Sequence, residues 1–397
     1  MKKTIALPLV SCLLLVSLFF GSLQIVMARS AHILKSTNTT NSTRQKDIAE
    51  SNKFPFKVLD DQLSETIRQY FEAKYESFTG LKPSNSIEKY FSSKANASWK
   101  ALEELKIKTI GKINSSFNLS YDKFDVKLSC LEISIEGNSA HVVLEENTTI
   151  TFTDPAILPL EFSKIKHELF LQKDVTNWKI TNDVYEDIII VQIEGRTESE
   201  IFDTIENNIV SQKKTPDSSE TSPTKNSTDA VFASTYNRTA AVSYANTWKN
   251  GVNPNYWQET QDCTNFVSQA VYAGINQVMS APTDYYNNWY FDAYTKTGSF
   301  PWINVGGFYS FITSNSSRGP VGYSSGSYLC YLSGGDAVVM QYTSGGWRHA
   351  VLVTSITGSC HDYTKIQVAS HTPFGSYNLA FFSPSNFYAL NITGYNN

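Results

Sequence analysis

The stretch FDVKLSCLEISIEGNSAHVVLEENTTITF, Phe124–Phe152, decides the fold of the first half of the chain. Its two parts alternate apolar and polar residues, and the IEGNSAH segment between them, with Gly137 and Asn138, carries a turn. A period of two closed by such a turn predicts an antiparallel strand pair. Upstream the period changes. In LDDQLSETIRQYFEAKYESF, Leu63, Ile67, Tyr70 and Phe71 share one helical face, and SWKALEELKIKTI repeats the pattern with Trp99, Leu102 and Leu105. Downstream, HELFLQKD and NWKITNDVYEDIIIVQI read as further strands. Helices followed by a long antiparallel sheet predict an α+β domain over 54–210.

The rest of the chain divides by composition. The opening MKKTIALPLVSCLLLVSLFFGSLQIVMARS has two lysines and then no charge until Arg29. Residues 1–28 are therefore expected to be a secretory signal peptide, or a membrane anchor if uncut, with a polar flexible spacer over 29–53. Ser211–Ala230 is polar and carries two prolines, which marks a disordered linker at 211–230. Residues 231–397 then hold 32 of the 52 aromatic residues but only six basic and six acidic ones. That composition suits a neutral polymer or peptide. The net charge of −4 supplies no basic field, so nucleic acid is not an expected partner. Beyond Cys12 in the leader there are four cysteines. Cys330 with Cys360 is the natural bridge, which leaves Cys130 and Cys263 over.

Cys263 lies in QETQDCTNFVSQAVYAGI. Asp262 is a good N-cap, Cys263 takes the first helical position, Val267, Ala270 and Val271 form the inward face, and Gly274 ends the helix. A thiol at the positive end of a helix dipole is expected to have a lowered pKa. It also needs a base, and the base an orienting partner. RHAVLVTSI and KIQVASHT read as neighbouring strands that bring His349 and His371 to one end. His361, beside Cys360, reads as a solvated loop residue. No metal site is expected, because no CxxC, HExxH or close pairing exists, and no GxSxG supports a serine hydrolase. No cofactor motif is found.

DCTNFVSQAVYAG, preceded by RTAAVSYANTWKNGVNPNYW and followed by WINVGGFYSFITSNSSRGPVGY, LSGGDAVVMQY, RHAVLVTSI and VASHT, resembles the putative amidase domain family of secreted bacterial proteins. That family is related to the papain-like NlpC and CHAP cysteine hydrolases, and the resemblance covers the C-terminal domain. It implies a papain-like fold with Cys263 as nucleophile, His349 as base and His371 as the orienting residue. Asp336 in GGD, like Asp262, would be a structural support. HTPFGSYN is followed by no acid, which departs from the family pattern. For the oxyanion, the Cys263 N–H is one candidate donor, and Tyr256 and Gln258 are candidates for the second. The first half resembles a nuclear-transport-factor-type cone, without a motif that gives it a function. The resulting expectation is a secreted or membrane-attached cysteine hydrolase that cleaves an amide, with a peptide or peptidoglycan-type substrate of the cell wall. Acyl transfer by the same thiolate, or a non-catalytic cell-surface binding module, are the alternatives.

Overall fold

The computed structural model describes residues 60–80, 84–213, 234–342, 346–382 and 386–397. The expected leader, the spacer and most of the expected linker lie outside these residues. Among those described, no helix is long and apolar enough to cross a membrane.

Among the described residues two amphipathic α-helices come first, α1 (Asp61–Phe78) and α2 (Ala97–Phe117). Each begins where a side chain caps it. Asp60 accepts from the N–H groups of Gln62 and Leu63, and Asn96 from those of Ser98 and Trp99. The period-two stretch forms β1 (Tyr121–Glu136) and β2 (Ser139–Phe152), paired antiparallel around Gly137 and Asn138. β3 (Leu160–Asp174) and β4 (Asn177–Val184) extend the sheet.

One expected strand is not there. The apolar run after Tyr185 is a short helix, α3 (Ile188–Ile193), followed by α4 (Glu198–Lys213). The reason is local: the Asp187 carboxylate accepts from the N–H groups of Ile189 at 2.7 Å and Ile190 at 3.2 Å, starting a helix where apolarity alone reads as strand.

The second half adds β5 (Ser234–Thr235), α5 (Arg238–Trp248), α6 (Cys263–Gly274), a short pair β6 (Phe291–Asp292) and β7 (Thr297–Gly298), α7 (Phe300–Ile303) and α8 (Val305–Ser314). β8 (Gly319–Ser324), β9 (Ala337–Gln341), β10 (Trp347–Ile356), β11 (Ile366–Ser370), β12 (Phe374–Asn378) and β13 (Asn386–Asn396) follow.

Apart from the separate β6–β7 pair, the described strands of both halves join in one antiparallel sheet of order β1-β2-β3-β12-β11-β10-β9-β13-β5, with β4 on β3 and β8 on β13. The junction is β12 against β3, where Gly375 faces Phe162. A Cβ at Gly375 would lie 1.8 Å from the Glu161 carbonyl oxygen, so only glycine lets the two strands approach. The described residues of both halves accordingly gather into one compact unit.

The shared strands are buried on both faces, so they read as near-continuous apolar runs. Val338, Met340, Val351, Val353 and Val368 face a core shared with α1 and α2. Ala337, Val339, Ala350, Leu352 and Ala369 face the core of α6 and its neighbours.

Candidate functional site

Helix α6 lies on a face of the sheet that offers it small side chains. Ala337, Ala350 and Ala369 are fully buried there, and Phe266, Val267, Ala270 and Val271 of the helix pack in the same core. This close approach presses Cys263, in the first turn, onto β10. The Ala350 N–H lies close enough to the sulfur to favour a thiolate, and Thr264 Oγ1 lies 3.8 Å away. Of the described cysteines, Cys263 is free and buried, Cys130 is free and exposed, and Cys330 is disulfide-bonded to Cys360.

The electrostatics differ from the expectation of an acidified thiol. Burial pushes the Cys263 thiol above its ordinary value, and the Ala350 and Thr264 hydrogen bonds do not overcome it. At 4 % exposure, desolvation of a thiolate outweighs the helix end.

Asp262 also plays a different part from side-chain capping, for it makes no such bond to α6. Its Oδ1 accepts from the Glu259 N–H at 2.8 Å and from Asn265 Nδ2 at 2.7 Å, while Oδ2 meets His371 Nδ1 at 2.6 Å. Thr372 Oγ1 accepts from the Asp262 N–H at 2.9 Å. One buried carboxylate thus ties together the loop before the cysteine, the helix that carries it and the end of β11.

The two histidines do not pair. His371 is committed elsewhere: besides Asp262, its Nε2 faces the Trp248 carbonyl at 2.8 Å, and its ring stacks on Phe266 of α6. His349 sits at a register shift in β10, opposite Met340, and its ring lies against Phe382. Residues facing Met340 point to the other core, so the two rings end on opposite faces of the sheet.

The partner of His349 is Ser370, whose Oγ lies 3.0 Å from Nε2. The Ser370 hydroxyl donates its one proton to the His371 carbonyl at 3.0 Å, so toward the ring it accepts. That arrangement puts a proton on Nε2 and leaves the lone pair on Nδ1, which has no hydrogen-bond partner among the described residues. Burial pushes the His349 pKa down to about 4, so the imidazole is neutral at pH 7. Cys263 and His349 share no hydrogen bond, although Ala350, which touches the thiol, is the next residue.

Tyr256 packs its ring on Phe291 and Trp302, and burial pushes its pKa up to about 12, so the phenol stays a donor. Gln258 is exposed and carries no hydrogen bond among the described residues. Asp336 is fully buried and holds Arg238 Nη1 at 2.7 Å together with the Ser333 and Ile392 N–H groups. Trp289 and Trp302 are core residues. Cys330, Cys360 and His361 also lie close together, but the disulfide removes the thiolates a metal would need. Sequence reasoning missed Ser370. The strand pattern that placed His371 near His349 contained it one position earlier, on the face that His349 takes.

An α+β chain with a free buried cysteine at a helix start, set against a histidine-bearing strand, defines the class of site. Residues 235–383 match the family described as putative amidase domain, so the C-terminal region carries a domain of that kind. No match is found among curated proteins. A crystal structure of a putative aromatic ring hydroxylase from Novosphingobium aromaticivorans is similar at 10 % identity, covering 32 % of this chain and 87 % of that one, with a TM-score of 0.21.

Proposed function

We propose that the C-terminal domain is a cysteine amide hydrolase in which Cys263 is the nucleophile, His349 the base and Ser370 the residue that holds the base in its tautomer. One observation carries the reading: a free thiol at the start of α6 touches the residue next to a neutral histidine whose Nδ1 is unpartnered.

Because the resting thiol is protonated and the imidazole neutral, the site holds no preformed thiolate–imidazolium pair. For His349 Nδ1 to take the thiol proton as sulfur attacks the amide carbonyl, β10 must shift at its Trp347–His349 irregularity and bring the ring from the far face of the sheet to the face of Cys263. Collapse of the tetrahedral intermediate breaks the C–N bond, and the imidazolium returns that proton to the leaving amine, leaving a thioester. Water, deprotonated by the same imidazole, then releases the acid and the thiol. In a free enzyme such catalytic contacts are often long and shorten when substrate binds. The Cys263 N–H supports the oxyanion, with the Tyr256 phenol as second donor.

For the substrate we infer an uncharged amide in a peptidoglycan-type cell-wall peptide. The neutral, aromatic composition of 231–397 and the leader expected at 1–28 support that choice, and they support a location outside the membrane, released or attached.

The test is a peptide-like amide electrophile applied to the full chain, with the adduct mapped by mass spectrometry. Modification of Cys263 is expected. Modification confined to Cys130, with Cys263 untouched, would end the assignment.

A further inference from the structure

Away from the thiol, α7, α8 and the start of β10 enclose an open cavity of about 470 Å³. That volume lies within the range of small-ligand sites. Its wall contains no Asp, Glu, Lys, Arg or His. A charged ligand would therefore lose its hydration without gaining a counter-charge.

Four aromatic residues, Tyr286, Phe300, Phe311 and Trp347, shape the wall. Trp347 lies against the first turn of α8, where a Cβ at Gly306 would come within 2.5 Å of its Cδ1, and its indole is held in place by Tyr309 at 4.6 Å and Tyr388 at 5.1 Å. Tyr286 and Phe300 also line it, with ring centroids 5.9 Å apart. The same wall carries the exposed Ser310 and Ser316, whose hydroxyls have no hydrogen-bond partner among the described residues.

We propose that this cavity binds an uncharged saccharide, with a pyranose ring laid on the exposed Tyr286 ring, Trp347 closing the wall behind it, and its hydroxyl groups met by the serines. A pyranose has an apolar C–H face and a polar edge, which is the alternation the wall presents. A peptide fits less well. Much of the wall is helical, its backbone groups are engaged in the helix, and no strand edge is offered to an extended chain. The inference does not depend on turnover at Cys263.

The test is calorimetric titration of the full chain with chitotriose, beside acetyl-trialanine amide as a neutral peptide probe. Saturable chitotriose binding is expected, weakened about tenfold or more by Tyr286→Ala, as the loss of one aromatic stack implies, and weakened also by Trp347→Ala. Tyr286 is 70 % exposed, so its replacement leaves the fold intact and keeps the result interpretable if Trp347→Ala misfolds. The proposal is overturned by the absence of saturable binding. It is also overturned by an affinity that Tyr286→Ala leaves unchanged, or by displacement of chitotriose by an equal concentration of the peptide.

Discussion

The molecule buries His167 in the first half and His349 and His371 in the second, and His167 and His349 are held in opposite ways. His167 of β3 is fully buried between two carboxylates, with Nδ1 2.8 Å from Asp183 and Nε2 3.0 Å from Glu146. Burial alone would push its pKa down, but the two acids outweigh it and the pKa is raised. Glu146 responds in kind: burial would raise it, but His167 brings its carboxyl down to about 2. The surroundings are ionic throughout, with Lys106 on Asp187 at 2.8 Å and Lys74 3.8 Å from Asp183. His349 is buried almost as deeply, yet it meets a hydroxyl and a phenyl ring and stays neutral. In the first half the charges neutralise one another and lock the core. At Cys263 and His349 of the second half, burial instead favours the neutral forms, which leaves a proton on the thiol and a lone pair on the imidazole.

The comparison breaks first at the nucleophile. Cys263→Ser is expected to lower amide hydrolysis by roughly 10³-fold or more while leaving the melting curve close to that of the parent. His349→Ala should cost about 10²- to 10⁴-fold in kcat with little change in KM, the range for loss of a general base. His167→Leu should do the reverse. It strands two buried carboxylates, so denaturant titration should show a loss of about 3–5 kcal/mol, while activity per folded molecule is unchanged.

Acid sharpens the contrast. His349 has a folded pKa of about 4 against an ordinary 6.5, so the unfolded chain binds the extra proton. Its contribution is present above pH 6.5 and is lost as pH falls from 6.5 through 4, a loss of up to about 3 kcal/mol. Glu146, lowered from 4.5 to about 2, adds a second loss between those values. His167 has the opposite sign. Its raised pKa stabilises below 6.5, and that contribution is lost as pH rises through the folded value. His349→Gln should flatten the dependence of stability on pH between 6.5 and 4 and leave the more acidic loss in place. The smallest effect is expected from Ser370→Ala: less than about tenfold in kcat, but with a shifted pH–rate profile, which a purely structural residue would not produce.

Much of this was legible in the sequence, because the sheet advertises itself. Phe124–Phe152 alternates cleanly, and α1 begins at an Asp that serves as its cap. The strand assigned to Ile188–Ile193 failed where a short apolar run is ambiguous between helix and strand and a single capping Asp decides. At the site, sequence order located the cysteine and both histidines but not their pairing. Residues on neighbouring strands share a face only in the correct register, and the shift between Trp347 and His349 sends the His349 ring to Ser370. The thiol was misjudged for a different reason. A helix end was visible in the sequence, whereas the burial that overrides it depends on three alanines contributed by three separate strands.

The most direct test is the pH dependence of Cys263 modification by chloroacetamide in a Cys130→Ser chain, compared with the same chain carrying His349→Ala. A raised thiol assisted by a neutral base predicts slow labelling at acid pH that climbs through neutrality, and a rate near pH 7 about 10²-fold lower without His349. Superimposable pH–rate curves for the two chains, or a flat fast rate from pH 5 to 8, would contradict the account.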